Sequence, residues 1–425
     1  MFGLSLSHVS IVLIGIFLFY HNFGPKNSKE VQVNGKFHEK WKHVADAFKL
    51  NLEENWERSG GAFVVYHKGV KVVDIWGGLA DRESERKWNE NTLSVVFSCS
   101  KAIGAIVVAK LIDEGRLKYD DLVIKYWPEF RQYGKANVTI RWLLTHKAGL
   151  AYTDHPITFD MAKNPKVMDQ ILAEQKPNWP PGEKIGYHAV TFGWLVDALV
   201  RRVDSRKRTV GLYFKEEIAD KHGIDFYLGL PRSEQHRVSR IENPNVWNVV
   251  EEILYSPKDF DVLRFVKDKY NNGTLAKTTA TTPFIQFVGA MTLNNPDLHQ
   301  LEQAAVLGIG TARALAEIFE LLRNGKIVSE GVKRQMFENY EMSEDYISGA
   351  KVPRGQGFML KEFKHKGMKV KMYGHSGYGG QNIRTDFEHE ITIAYLSNGL
   401  KVGFGDTART YKRLLESVYD TYLSQ

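Results

Sequence analysis

The 425-residue sequence predicts an α+β fold in which one mainly antiparallel sheet is built from both chain ends, flanked by helices and interrupted by a mostly helical insertion. Three observations lead there. Strand-like segments joined by short turns cluster near both ends, amphipathic helical stretches flank them, and the long middle carries helical periodicity with loops. Short turns between successive strands favour antiparallel pairing.

Along the chain, the first 24 residues hold an apolar run from about Val9 to Phe19 that no Asp, Glu, Lys or Arg interrupts. Extended on the N-side by Leu4 and Leu6, the stretch as a whole just reaches a membrane span, and it lacks the basic start and small-residue cleavage site of a secretory leader. Residues 1–24 are therefore expected to be a signal anchor that makes the protein a single-pass membrane protein; a cleaved leader and secretion are the alternative. Lys26 and Lys29 are too thin an asymmetry to set the membrane side. Residues 25–36 are polar and unpatterned and read as a linker. One domain is expected over 37–425, with an α/β part at 37–117 and 341–425 and the helical insertion at 118–340. Within it, Phe37 to Trp56 repeats apolar residues at helical spacing, and Ala62 to His67 and Val70 to Trp76 form a hairpin about Lys68-Gly69. Toward the other end, Gly357 to Phe363, Lys369 to Tyr373, Gln381 to Thr385 and Glu390 to Ser397 read as strands, and Asp406 to Tyr422 as a closing amphipathic helix.

Composition excludes several classes. With 43% hydrophobic residues the chain buries a large core and is not intrinsically disordered. Its 57 Lys and Arg against 50 Asp and Glu give a net charge of +7 spread along the sequence, a weak case for a nucleic-acid partner. The single cysteine, Cys99, rules out an internal disulfide, CxxC redox chemistry and Cys-rich zinc sites. His365, His375 and His389 match no zinc-protease spacing. No nucleic acid, metal or cofactor is expected, and nothing in the sequence indicates an oligomeric state.

Three segments carry candidate chemistry. Phe97-Ser98-Cys99-Ser100-Lys101 leads into an apolar helical face made by Ala102, Ala105, Val108, Ala109 and Ile112, so Ser98 is expected to open a buried helix. Ser98 and Lys101, three apart, would share a helix side, and the amine could take the proton of a hydroxyl that is otherwise a poor nucleophile. The spacing alone is weak, since chance gives on the order of one or two S-x-x-K matches in such a chain. Ser84/Lys87 and Ser348/Lys351 also match, but both lie in polar stretches read as solvated loops. The plain reading of Ser98 is a helix N-cap. The second segment is WPPGEKIGYHA, in which Tyr187 sits in a Pro-Gly loop before a helix near Val190. Beside a lysine ammonium its phenol would ionise more easily and serve as base; the plain reading is a packed aromatic. The third is YGHSGYGG, holding His375, Ser376, Gly377 and Tyr378 between two strands, where a substrate could lie against exposed backbone N–H groups; the plain reading is a glycine-rich turn.

In order, FSCSK at Ser98, YHA at Tyr187 and HSG at His375 resemble the three active-site elements of the serine β-lactamase and penicillin-binding-protein superfamily, closest to class C-like β-lactamases and family VIII carboxylesterases. The segments RWLLTHKAGL, PPGEKIGYHA and LGIGTARALAEIFELLRNG are similar to further stretches of that family, so the resemblance covers the chain from about residue 37. It implies the β-lactamase/transpeptidase fold and a serine hydrolase working through an acyl-enzyme on a small-molecule or peptide substrate. Ser98 would be the nucleophile, Lys101 and Tyr187 would shuttle the proton, and the backbone N–H groups of Ser98 and Tyr378 would form the oxyanion hole. His375, Ser376 and Gly377 would line the substrate. Two departures matter. Ala189 stands where the family's lactamases carry asparagine and His375 where they carry lysine. Both weaken recognition of a carboxylate-bearing β-lactam, so an ester or peptide-like amide is the expected substrate. A catalytically inactive scaffold or binding protein is the alternative, which the intact Ser98, Lys101 and Tyr187 oppose.

Rival motifs fail on context. Gly374-His-Ser-Gly-Tyr378 lacks the last glycine of a hydrolase elbow, and Ser376 is followed by turn and strand rather than helix. Gly308 and Gly310 hint at a dinucleotide loop, but Arg313 fills the third glycine position and no buried strand is expected before it, so Thr311 reads as an N-cap. Cys99 is expected to be buried and inert.

Overall fold

The computed structural model describes residues 31–255, 271, 273–286, 289–338, 340–402 and 405–425. The expected anchor at 1–24 lies outside the described residues. In chain order the strands are β1 (Val33–Phe37), β2 (Gly60–His67), β3 (Val70–Asp81), β4 (Arg86–Lys87), β5 (Ser94–Val95), β6 (Phe226–Leu228), β7 (Gly308–Gly310), β8 (Met359–His365), β9 (Met368–Ser376), β10 (Asn382–Asp386) and β11 (Ile391–Ser397). The helices that frame the site are α1 (Lys42–Glu53), α2 (Ser100–Asp113), α3 (Thr191–Val203), α4 (Ala312–Arg323) and α5 (Arg409–Leu423).

The main sheet has eight strands in the order β1-β3-β2-β11-β10-β9-β8, with β4 beside β3. Its pairings are all antiparallel, and β2 joins the chain's beginning to its end through the register Val65↔Ile393 against β11. Side chains alternate across the central strands. Phe63, Val65, Ile393 and Tyr395 face α1 and α5, which pack with Phe48, Leu52, Leu414 and Val418. Ala62, Val64, Ala394 and Leu396 face the opposite layer with α2, α3 and α4. Burial on both faces explains why β11, ITIAYLS, is apolar almost throughout.

Three boundaries differ from the sequence reading. Residues 33–36, expected in the linker, belong to β1, an edge strand whose side chains are largely exposed. Such a strand is held by backbone pairing and leaves no apolar pattern, although Gly35 is needed there because a Cβ would meet the Asp74 carbonyl oxygen at 2.1 Å. The helix α4, inside the expected 118–340 insertion, packs on β2, β10 and β11 and so belongs to the sheet layers. The helix α2, inside the expected α/β part, packs against α3 and the helix Val210–Phe214 as well as on β9, so it joins the two parts. A buried three-residue strand, β7, does precede Thr311 and pairs with β5 and β6. It escapes periodicity because two of its three residues are glycine. Thr311 caps α4 as expected, its Oγ1 accepting from Ala314 N at 3.0 Å.

The strand β9 delivers the HSG segment through Gly374, whose φ of +154° and contact with β10 leave no room for a side chain; a Cβ would lie 2.0 Å from the Ile383 carbonyl oxygen. Gly374→Ala should therefore cost about 2–4 kcal/mol, read as a lowered urea midpoint with unchanged slope. A midpoint within error of wild type would show that this close approach does not set the strand's course.

Candidate active site

Ser98 owes its position to a backbone turn rather than to a helix. Val96 N donates to Gly308 O at 2.8 Å, and Phe97 then adopts φ +47°, a left-handed conformation costly for an aromatic residue. The helix proper begins at Ser100, two residues later than expected, and Lys101 N donates back to Ser98 O at 3.1 Å. Ser100 pins the turn by donating its hydroxyl to Phe97 O and accepting from Gly308 N at 2.8 Å. Ser98 is thereby left half-buried while residues 92–97 and 99–109 are buried. Cys99 is buried as expected; its Sγ donates to His375 O at 3.2 Å, and desolvation pushes its thiol up to about 12. It is held unreactive.

Lys101 lies one turn along and is fully buried. Its Nζ is 3.4 Å from Ser98 Oγ, and it donates to the carbonyls of Ala189 at 2.8 Å and Ala305 at 2.9 Å. Among the described residues no carboxylate pairs with it. Desolvation, reinforced by the Arg354 charge, holds its pKa well below the ordinary lysine value.

Tyr187 reaches the site from its loop before α3. Trp179 packs so tightly on Gly186 that a Cβ there would meet its ring at 2.3 Å, and Gly186 N donates to His146 O at 3.1 Å. His188 takes part in the same clamp, donating its backbone N–H to His146 Nδ1 at 3.2 Å and accepting from Leu150 N at Nε2 at 2.9 Å. The RWLLTHKAGL segment thus holds the tyrosine loop. The phenol hydrogen-bonds Ser98, and Lys101 Nζ lies 4.6 Å from the ring centroid. One expectation is reversed: desolvation raises the phenol pKa, and the Ser98 hydrogen bond and the Arg354 charge do not offset it. The eased ionisation presumed a lysine ammonium alongside, whereas this amine is itself pushed toward its neutral form.

The end of β9 completes the group. The His375 ring centroid is 6.3 Å from that of Tyr187, and burial drives its imidazole well below the usual range, so it is neutral. Its Nδ1 pairs with Ser376 O at 2.6 Å. The Tyr378 ring lies tilted against that of Phe97, centroids 5.8 Å apart, beside the Ser98 turn. Gly377 lies against the same turn, where a Cβ would be 2.6 Å from Val96 O. Ser376 stays apart from the group, buried with its hydroxyl on Met359 Sδ at 3.6 Å, and the turn that follows it carries no helix. The structure therefore brings together Ser98, Lys101, Tyr187 and His375, with Tyr378 and Gly377 on their rim.

Two neighbours gave no usable signal in the sequence. His146, inside RWLLTHKAGL, packs its ring at a tilt 4.9 Å from that of Tyr187, and burial and the Arg354 charge hold its pKa well below the ordinary imidazole value. Arg354 places its guanidinium carbon 4.7 Å from the Tyr187 ring centroid. It comes from VPRGQG, which looks like a solvated loop. Among the described residues no cluster of three or more His, Cys, Asp or Glu is arranged to hold a metal ion.

Comparison with known proteins follows the same lines. The Beta-lactamase family profile matches residues 48–417. The Esterase/beta-lactamase LipL of Mycobacterium tuberculosis is 30% identical over 80% of this chain and 77% of its own length. A family VIII carboxylesterase structure superposes with a TM-score of 0.79 at 29% identity, covering 92% of this chain and all of that one. A penicillin-binding protein homologue from Caulobacter crescentus gives 0.76 at 28% identity, with 92% of this chain and all of that one covered. With an antiparallel sheet flanked by helices and the serine, lysine and tyrosine gathered at one edge of the helical layer, the chain belongs to the Beta-lactamase family of serine hydrolases.

Proposed function

We propose that this protein hydrolyses carboxylic esters through an acyl-enzyme on Ser98, with Lys101 as base and Tyr187 as proton relay. The carrying observation is the bonding of Lys101. An uncharged amine has two N–H groups and one lone pair; the Ala189 and Ala305 carbonyls take the two N–H groups, and the lone pair is left for the Ser98 hydroxyl 3.4 Å away. The hydroxyl proton passes to that lone pair as Oγ bonds the substrate carbonyl carbon. It returns through the protonated Tyr187 hydroxyl to the departing alkoxide as the ester bond breaks. Water then reverses the relay to release the acid and restore Ser98. The backbone N–H groups of Ser98 and Tyr378 would hold the oxyanion, a donor of this kind being worth about 3 to 4 kcal/mol.

An ester fits better than a β-lactam. Neutral His375 supplies no cation at the position where the family's lactamases carry lysine, and Ala189 supplies no side-chain amide for a lactam's acylamino group. Among similar proteins, EstB of Burkholderia gladioli, 43% identical over 22% of this chain, is named an esterase, and LipL is named both esterase and beta-lactamase. An inactive scaffold would have no need of an uncharged lysine in its core, which costs folding energy. The apolar stretch at 1–24 would tether the domain to a membrane; alkaline carbonate should leave full-length protein in the membrane pellet and release a chain starting at residue 31, and equal release of both would discard the tether.

A fluorophosphonate probe should label wild type and not Ser98→Ala, while absence of labelling in both would favour the scaffold. Lys101→Met and Tyr187→Phe should each lower kcat/KM for a short-chain aryl ester by about two to four decades; if neither slows turnover, the assigned roles are wrong. Lys101 also leaves a mark on stability. Its folded pKa is depressed below the unfolded value of 10.5, so the unfolded chain binds the extra proton at neutral pH. Wild-type stability should consequently rise with pH up to about 10 relative to Lys101→Met. Parallel stability curves for the two would mean that the amine is charged in the folded protein.

A further inference from the structure

Arg354 has more hydrogen-bonding capacity than its surroundings use. It is 4% exposed, yet among the described residues neither its Nε nor its Nη1 has a hydrogen-bond partner. Buried guanidinium donors are normally satisfied, and leaving them unmade is costly. Its one counter-ion among the described residues is Asp345, whose Oδ2 stands 3.3 Å from Nη2 without forming a good hydrogen bond. The Asp345 carboxylate is held instead by its own loop: Oδ1 accepts from Ile347 N at 3.1 Å, Ser348 N at 2.8 Å and Ser348 Oγ at 3.0 Å. The guanidinium meanwhile lies over the ring of Tyr187, whose hydroxyl bonds Ser98. A permanently charged group with spare donors is thus stationed one aromatic ring from the nucleophile.

Building on the ester-hydrolase reading, we propose that Arg354 binds a carboxylate carried by the substrate a few bonds from the reacting carbonyl, so that the preferred substrates are singly anionic esters. A monoanion matches because Lys101, His146 and His375 are all biased toward neutral forms, while the Arg354 guanidinium over the Tyr187 ring keeps unmade hydrogen bonds. The planar fork of arginine suits the two oxygens of a carboxylate, which lysine matches poorly. This residue also answers the loss of a lysine at position 375: the charge is present, but it arrives from the loop before β8.

The test compares isosteric charged and neutral esters in two arms. In the acyl arm, mono-p-nitrophenyl adipate is set against its methyl ester. In the leaving-group arm, acetylated 3-hydroxybenzoate is set against its methyl ester. Wild type should favour the charged member of one pair by about tenfold or more in kcat/KM, and the arm that responds tells which side of the scissile bond carries the anion. Because Arg354→Gln alone would leave Asp345 buried without its counter-ion, the charge-balanced pair Asp345→Asn/Arg354→Gln is used with it. Both should lose the preference by ten- to a hundredfold, and Arg354→Lys should recover part of it. No preference in wild type, or charged and neutral esters slowed by the same factor in the variants, would overturn the proposal; the second result would make Arg354 a positioning partner of Tyr187. If wild type hydrolyses none of these esters, the ester-hydrolase reading fails, and adipate binding to Ser98→Ala by calorimetry then judges Arg354 independently. Saturable binding abolished by Asp345→Asn/Arg354→Gln supports the anion site, and absent or unaffected binding refutes it.

Discussion

The burial of one amine organises this protein. Lys101 ties together the turn after β5, the tyrosine loop before α3 and the segment before β7 through Ser98, Ala189 and Ala305, elements far apart in sequence. Two of these contacts are to backbone carbonyls, so they survive any side chain at 189 and tolerate the alanine found there. Because no carboxylate among the described residues compensates it, burial drives the amine toward the neutral form that can accept a proton. A charged lysine there would need a carboxylate, and a carboxylate would spoil the base.

The other groups follow from that dryness. Imidazoles at 146, 188 and 375 are neutral for the same reason, and they serve as packing surfaces and backbone partners around Tyr187 rather than as acids. The tyrosine keeps its proton, which suits a relay between lysine and leaving group better than a resident phenolate. Arg354 supplies the positive field that the histidines do not. The backbone contributes its share: Phe97 is forced into a left-handed turn so that Ser98 stands clear of the helix behind it, a local cost carried by the pairing of Val96 and Ser100 with Gly308.

Much of this was legible in the sequence where the signal is local. The spacing of Ser98 and Lys101 ahead of an apolar run marks the proposed nucleophile segment, and alternating or apolar runs mark β2, β3 and β11, because their buried faces are apolar; β10, NIRTD, is buried although four of its five residues are polar. Tyr187 and His375 gain meaning only from the order of the three motifs, since no periodicity says that loops 89 and 277 residues beyond Ser98 will converge. Edge strand β1 and glycine-rich β7 were invisible because backbone pairing leaves little trace in side chains. Arg354 was hidden by its polar neighbours, which look like a solvated loop and are not. The direction of the Tyr187 shift was misjudged because sequence shows that a lysine is near, but not whether water is.

The most direct test of the account is to capture the covalent intermediate. Protein turning over an aryl ester is quenched in acid and weighed intact, then digested and mapped. A mass increase of one acyl group on the peptide containing Ser98, lost in Ser98→Ala and built up more slowly in Lys101→Met, is the expected result. Steady turnover with no adduct, or with the acyl group on another side chain, would contradict it.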